Sequence, residues 1–254
     1  MSVELFENER IDDLQFRGLR IIQNINAFCV SMDAVLLADF ATARPGDVVV
    51  DLGTGTGILP LLISSRVERT RFHAFEILRE MAEMAERSVE MNGLEERISI
   101  YAQDLVQAPK LLKYGSADLV ISNPPYSKQG TSIENPDFNK RTARHEGDRT
   151  LNDFVQTAAK LLKTRGRFAV VFPVQRMLEL ADAMRANKIE PKRLRMVHPK
   201  PDRAPNLVLL EGVKLGKPML HVAPPLIVYD ENGNETDELK RIYRREESIS
   251  EVRS

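Results

Sequence analysis

Short runs of consecutive apolar residues alternate along this chain with longer segments in which apolar residues recur every three or four positions. The short runs are typical of parallel strands buried on both faces, and the longer segments are typical of helices with one buried face. Helices are predicted at residues 34–41, 58–63, 78–91, 151–163 and 175–186. Strands are predicted at residues 48–52, 71–76, 97–101, 118–121, 166–173 and 193–197. The alternation predicts an α/β domain with a Rossmann-like, doubly wound, mostly parallel sheet.

Both ends of the chain depart from this repeat. At the C-terminal end, apolar runs at 206–213, 219–221 and 226–229 follow one another without a helix between them, which predicts an antiparallel end to the sheet. At the N-terminal end, residues 14–16 and 19–23 predict a short hairpin around a glycine.

Three regions follow from these patterns. Residues 1–44 form an appendage, in which Ser31 to Asp33 can cap the helix predicted at 34–41. Residues 45–240 form the α/β domain, and residues 241–254 form a charged tail that is expected to be mobile.

A glycine-rich turn, Asp51-Leu52-Gly53-Thr54-Gly55-Thr56-Gly57, lies between the strand predicted at 48–52 and the next helix. Such a turn lets backbone N–H groups approach a ligand closely. A dinucleotide fingerprint would need glycine where Ile58 stands, and the Gly-Lys-Ser/Thr ending of a phosphate-binding loop is absent. The turn is therefore predicted to wrap a cofactor that has no pyrophosphate.

Two acidic residues follow the next two strands. Glu76 ends the strand at 71–76, where a carboxylate can accept hydrogen bonds from both ribose hydroxyls of a nucleoside. Asp104 follows the strand at 97–101, where it can accept from an adenine amino group. Asp104 can equally cap a helix, and the sequence alone does not separate these two interpretations.

The sequence Ser122-Asn123-Pro124-Pro125-Tyr126 follows the strand at 118–121. The two prolines have fixed φ and make this segment a stiff arch. The arch can present the Asn123 side-chain oxygen and the Pro124 carbonyl to one amino group, with Tyr126 stacked on a planar ring. Two such acceptors favour alkylation of an exocyclic amine. A proline-rich turn with a buried tyrosine is the structural alternative.

Basic residues suggest where a nucleic acid would bind. The polar segment 127–150 carries Lys128, Lys140, Arg141 and Arg144 and is predicted to grip the substrate. Segment 188–203, which ends at Arg203, holds six Lys or Arg and two acidic residues. Such segments can contact phosphates, although solvated surface charges have the same composition.

The overall composition is that of a globular protein, with 43% hydrophobic and 29% charged residues and a formal net charge of −1. Cys29 is the single cysteine, which excludes an internal disulfide framework and fits a reducing compartment. No apolar run approaches membrane-spanning length, and the first residues lack the features of a signal peptide. A cytoplasmic location is expected, with no membrane association, no metal site and no obligate protein partner.

In this order, the glycine-rich turn, Glu76, Asp104 and the arch resemble the motif set of class I S-adenosylmethionine-dependent methyltransferases that act on planar amines. The resemblance implies a seven-stranded sheet with an antiparallel C-terminal hairpin, and S-adenosyl-L-methionine as the cofactor. The turn and Glu76 would hold its amino-acid part and ribose, and Asp104 with Leu105 would hold its adenine. The target amine would be held by Asn123, Pro124, Pro125 and Tyr126. The cofactor-binding residues of the turn would be Asp51, Gly53, Thr54, Gly55 and Gly57.

Segments 20–23, 31–38, 143–146 and 226–230 also resemble the bacterial tRNA1(Val) adenine-37 N6-methyltransferase family. This resemblance implies an RNA substrate, an N6-adenine product and a position over the cofactor for Asp33.

Other families share part of the pattern. Glutamine N5-methyltransferases of release factors carry the same tetrapeptide but have a helical N-terminal domain, for which the first 45 residues are too short. Guanine N2-methyltransferases of ribosomal RNA usually have Phe in place of Tyr126. A non-catalytic, cofactor-binding RNA module is a third alternative, which the intact arch disfavours.

Overall fold

The computed structural model describes residues 3–26, 31–125 and 149–243. The strands within these ranges are β1 Glu9–Asp13, β2 Arg20–Asn24, β3 Val48–Leu52, β4 Arg71–Glu76, β5 Ile98–Ala102, β6 Ala117–Ser122, β7 Leu162–Pro173, β8 Ile189–His198, β9 Leu207–Lys214, β10 His221–Val222 and β11 Leu226–Ile227. The α-helices are α1 Met32–Phe40, α2 Ile58–Arg66, α3 Arg79–Met91, α4 Ala108–Leu111, α5 Leu151–Leu161, α6 Met177–Ala186 and α7 Asp237–Ile242. Two 3-10 turns, Leu105–Gln107 and Val174–Arg176, precede α4 and α6.

In the described part of the chain, nine strands form one sheet in the order β10-β8-β9-β7-β6-β3-β4-β5, with β11 also paired to β8. Only β9 runs against its neighbours there, between β7 and β8. The predicted α/β, mostly parallel sheet is confirmed. The expected antiparallel end is confirmed for β9. It is wrong for β10 and β11, which both pair parallel with β8.

The chain changes direction across the sheet between β3 and β6. From β3 it proceeds to β4 and β5 on one side, and it then returns to place β6 on the other side. We call the edge at which the parallel strands end the carboxyl edge, and the opposite edge the amino edge. In sheets of this kind a ligand crevice opens at the carboxyl edge, at this reversal point.

Helices cover both faces of the sheet because successive strand residues point to opposite sides. In β3, Val49 packs into a core cluster with residues of α1, α2 and α3, whereas Val50 and Leu52 pack into a second cluster with residues of α5 and α6. The sheet is therefore the middle layer of three.

The N-terminal hairpin differs from its prediction. Glu9–Asp13, rather than residues 14–16, pairs with Arg20–Asn24. Leu14 and Phe16 lie in the connecting turn with their side chains buried in the first core cluster. Both side chains are buried, and this is why their apolar pattern was interpreted as a strand although they lie in a turn.

The hairpin is fastened to α3. The Ile22 N–H donates to Ser88 Oγ at 2.9 Å, and the Arg20 N–H donates to Asn92 Oδ1 at 3.0 Å. The Asn92 amide in turn donates to the Arg20 carbonyl at 2.6 Å. Arg87 forms a 2.6 Å ion pair with a glutamate of β1. The appendage is thus packed on the domain by main-chain hydrogen bonds as well as by apolar contacts.

At the other end, α7 runs to Ile242, whose side chain is buried in the first core cluster. The predicted boundary between residues 240 and 241 falls inside this helix. Among the described helices, none is both long enough and apolar enough to cross a membrane.

Candidate active site

The glycine-rich turn connects β3 to α2 through backbone conformations that side chains rarely adopt. Gly53, Gly55 and Gly57 have φ values of +78°, +59° and +86°. The restriction is sharpest at Gly57, where an added Cβ would also lie 3.2 Å from the Cβ of Ala85 on α3. The turn therefore packs closely on α3.

Asp51 carries a buried carboxylate directly before this turn. The residue is fully buried, and no described group donates a hydrogen bond of normal geometry to either of its carboxylate oxygens. The neighbouring Thr54 hydroxyl is also buried without such a bond. Burial raises the pKa of Asp51 to about 7, with a further rise from the Glu76 carboxylate and an opposing effect of Thr54. Buried polar groups without partners are rare in proteins, and here they fit a ligand that carries donors.

Glu76 fixes the middle of the turn from the end of the neighbouring strand. Its Oε2 accepts from the Gly55 N–H at 2.8 Å, and its Oε1 accepts from the Leu78 N–H at 2.9 Å. Burial raises the pKa of Glu76, and these N–H groups oppose the rise. Each carboxylate oxygen has a second lone pair, so the two main-chain bonds leave capacity for ribose hydroxyls.

The arch begins beside the glycine-rich turn. Ser122, the last residue of β6, is buried and donates its hydroxyl to the Leu52 carbonyl of β3 at 2.7 Å. This bond holds the ends of the two strands together, so that Asn123 and Gly53 leave adjacent strands spaced by about 4.8 Å. Sequence patterns did not identify the role of Ser122, because its partner lies 70 residues away.

Part of the predicted amine site lies outside the described residues. Asn123 is partly buried, Pro124 is buried and Pro125 is exposed. The residues of the predicted site outside the described ranges are Tyr126, Lys128, Lys140, Arg141 and Arg144.

Asp104 follows β5 at the same edge and has two partners. Its Oδ1 accepts from the Val106 N–H at 3.2 Å and caps the 3-10 turn, in which Leu105 is buried. Its Oδ2 forms an ion pair with Arg149, which directly precedes the cap of α5. The capping interpretation of Asp104 is thus observed. The sequence carried no signal for the ion pair, whose members are 45 residues apart.

Asp33 lies in the first turn of α1, where Ser31 is the N-cap and accepts from the Ala34 N–H at 3.4 Å. The position of this turn follows from the other end of α1. Thr42, just after the helix, contacts Arg167, which is in register with residues near the amino edge. Since α1 is about 13 Å long, Asp33 lies about that distance along the helix axis from Thr42.

Segment 188–203 is not one basic face. Most of it is β8, which crosses the sheet from the amino edge to the carboxyl edge. Arg193 pairs with Glu211 at 3.3 Å, and Arg195 pairs with Glu238 at 2.6 Å. These arginines are engaged by acidic side chains within the fold. Exposed Arg203 lies in the turn after β8, at the carboxyl edge.

Comparisons with known proteins agree with this geometry. Residues 30–188 match the family model described as Methyltransferase small domain. The tRNA1(Val) (adenine(37)-N6)-methyltransferase of Tolumonas auensis is 33% identical over 198 residues, which cover 77% of this chain and 80% of that protein. The protein of the same name from Parabacteroides distasonis is 30% identical over 199 residues, which cover 78% and 81% of the two chains.

Solved structures share the fold. The predicted O-methyltransferase Atu636 from Agrobacterium tumefaciens superposes with a TM-score of 0.70 at 22% identity, covering 84% of this chain and 96% of that one. TrmN from Thermus thermophilus gives a TM-score of 0.52 at 22% identity, covering 72% and 48%. With the sheet order and the family match, these similarities lead to one conclusion: the chain belongs to the methyltransferase small domain family and is a class I methyltransferase that uses S-adenosylmethionine.

Proposed function

We propose that this protein methylates N6 of an adenine in RNA, and that its substrate is adenine 37 of tRNA1(Val). The observation that carries the proposal is the position of the Asn123-Pro124-Pro125 arch, which begins one strand away from the glycine-rich turn. An amine held by this arch would lie next to a cofactor held by the turn. The names of the related proteins supply the identity of the RNA. With a tRNA substrate, we also propose a cytoplasmic location.

The described residues fit S-adenosylmethionine. The unpartnered Asp51 carboxylate and Thr54 hydroxyl suit the amino-acid part of the cofactor, whose ammonium group supplies donors. Glu76 has lone pairs for the ribose hydroxyls, and Asp104 with Leu105 borders the place of the adenine ring. The bound cofactor supplies an electrophilic methyl group on a sulfonium sulfur. The remaining cofactor-binding residues that we propose are Asp33, Gly53, Gly55 and Gly57.

The arch is proposed to prepare the adenine amine for attack. The lone pair of this nitrogen is delocalised into the ring, which makes it a weak nucleophile. Hydrogen bonds from its two N–H groups to Asn123 Oδ1 and the Pro124 carbonyl favour a pyramidal nitrogen with its lone pair available. Tyr126 would stack on the flipped base, which costs least to extrude from an unpaired loop. Pro125 stiffens the arch, so that the acceptors are preorganised before the substrate arrives.

The three regions are proposed to divide the work. Residues 45–240 carry the cofactor and the arch, while 1–44 cover the cofactor side through the first turn of α1. The tail, 241–254, has no proposed role in catalysis.

The test is methyl transfer from labelled S-adenosylmethionine to bulk tRNA from a strain that lacks this gene, with nucleoside analysis of the product. We expect N6-methyladenosine at position 37 of tRNA1(Val) only. Methylated guanine, or label on protein glutamine, would contradict the proposed substrate. Cofactor binding without any transfer would contradict the proposed activity.

Arg203 and its neighbour Lys200 are proposed to contact RNA phosphates, because the turn after β8 is at the carboxyl edge and Arg203 is exposed there. The double variant Lys200→Gln/Arg203→Gln is expected to reduce the slope of log Kobs against log salt concentration by about 1.5, because each phosphate contact contributes about 0.7 to 0.9. The measurement is tRNA binding between 50 and about 200 mM salt.

The matched control removes two exposed lysines at the amino edge, Lys188→Gln/Lys217→Gln. The control should leave the slope unchanged. Equal slopes for both double variants would remove the turn after β8 from the RNA-binding surface.

A further inference from the structure

Arg149 reaches the cofactor side of the sheet from the start of α5. Its guanidinium pairs with Asp104 Oδ2, while the other oxygen of the same carboxylate is held by the Val106 N–H. The Arg149 side chain is 33% exposed and that of Asp104 is 18% exposed, so the pair is partly withdrawn from water. Both oxygens of Asp104 are thereby fixed by the protein from two directions.

A second contact places the same end of α5 at the cofactor site. Phe154 lies one turn after the start of the helix, and its Cε1 is 3.6 Å from the place of a Cβ at Gly53. The glycine-rich turn is therefore contacted by Phe154 of α5, and the turn after β5 is contacted by Arg149, just before the helix cap. These are two of the segments that would surround the cofactor.

Arg149 is not needed to start α5. The helix is capped by Thr150, whose hydroxyl accepts from the Asp153 N–H, while the Asp153 carboxylate accepts from the Thr150 N–H at 2.8 Å. These two hydrogen bonds form a capping box, which pairs N–H groups at the start of the helix without any contribution from Arg149. The contact with Asp104 is thus an addition to the helix cap, and it needs its own explanation.

We propose that Arg149 is a positioning residue that orients the Asp104 carboxylate toward the exocyclic amino group of the cofactor's adenine. The inference rests on the adenine-binding role of Asp104 in the proposed function. A carboxylate accepts hydrogen bonds and does not donate them, so a fixed carboxylate accepts an amino group and rejects a carbonyl oxygen at the same ring position. Each carboxylate oxygen of Asp104 already accepts one hydrogen bond and keeps a second lone pair. The carboxylate can therefore still accept a hydrogen bond from one N–H of the adenine amino group. Loss of the guanidinium frees the carboxylate to rotate, which weakens this selection.

The test is a double-mutant cycle in the full-length protein, read out by calorimetric binding of S-adenosylhomocysteine and of its analogue with hypoxanthine in place of adenine. Asp104→Asn keeps a good cap for the 3-10 turn, and it should weaken S-adenosylhomocysteine binding by about 10-fold and remove the preference for adenine. Arg149→Ala should weaken binding by about 5-fold and reduce the preference by a similar factor. Arg149→Lys should restore part of both, because it keeps the charge and loses the fork.

Because Arg149 acts through Asp104, adding Arg149→Ala to Asp104→Asn should cause no further loss of affinity. The matched control is Lys163→Ala, which removes a 2.7 Å ion pair from Asp118 at the amino edge. Asp118 also accepts a main-chain N–H, from Val48 at 3.0 Å. This control should leave both affinities unchanged.

Two outcomes overturn the inference, and they are distinguishable. If Asp104→Asn weakens binding while Arg149→Ala changes neither affinity nor preference, Arg149 is a structural residue only. If Asp104→Asn itself changes neither, the adenine-binding role of Asp104 in the proposed function is wrong, and the role of Arg149 falls with it.

Discussion

Replacing Asn123 with Ala is expected to lower kcat for methyl transfer by about 10³-fold, because the preorganised acceptor for one amine proton is removed. The affinity for S-adenosylmethionine should stay within about twofold, since the cofactor-binding residues lie on the glycine-rich turn and after β4 and β5. The measurements are single-turnover transfer to tRNA and calorimetric binding of the cofactor.

Pro125→Ala is the matched control for the arch. This variant keeps both proposed acceptors but removes the proline that restricts Pro124, so a smaller loss, on the order of 10-fold, is expected. Because Pro125 is exposed, the substitution leaves no cavity. If Asn123→Ala lowers cofactor affinity in parallel with turnover, Asn123 belongs to the cofactor site rather than to the amine site.

Asp51 is expected to cost the cofactor-free protein stability as the pH rises from about 4 to 7, because this carboxyl group must ionise while fully buried. The pKa of Asp51 is about 7 in the folded protein, against an ordinary value of 3.8. The folded state therefore binds one more proton than the unfolded state between these two values, and the free energy of unfolding falls by about 1.4 kcal/mol per pH unit. The full penalty is on the order of 4 kcal/mol and is complete above about pH 7.

Asp51→Asn should remove this slope. The measurement is urea unfolding of both proteins without cofactor at pH 5, 6, 7 and 8, from which the difference between their free energies of unfolding is obtained at each pH. This difference should move in favour of the variant up to about pH 7 and then level off. If the difference between the two free energies of unfolding did not change between pH 5 and 8, Asp51 would be ionised over this whole range. Its carboxylate would then accept a hydrogen bond in the folded protein.

Asp51→Asn should also weaken binding of S-adenosylhomocysteine at pH 8, where the wild-type carboxylate is charged and can pair with the ligand's ammonium group. A variant that is more stable yet binds less well would separate the structural cost of the buried acid from its use. Such an exchange of stability for function is common at active sites.

The mostly parallel α/β sheet and the glycine-rich turn followed from the sequence because both depend on local chemistry. The apolar run of β3 and the Pro-Pro pair after β6 each restrict the backbone within a few residues. Strand ends in a parallel α/β sheet share one edge, so Glu76, Asp104 and Asn123 were expected near each other, and the structure places them along that edge.

The partners of individual side chains were decided by the tertiary structure. Asp104 meets Arg149 only because α5 returns to the end of β5, and no periodicity along the chain encodes that contact.

The basic segment shows the same limit. Its composition suggested an RNA-binding face, but Arg193 and Arg195 pair with acids of β9 and α7.

Short strands were uncertain for a related reason. Two-residue strands such as β10 and β11 take their direction from the exposed edge of β8 rather than from their own sequence. The sequence by itself therefore determined the fold class and the glycine-rich turn, through backbone restriction and burial. The tertiary structure decided which charges remain available for a ligand, because long-range packing chooses the partner of each side chain.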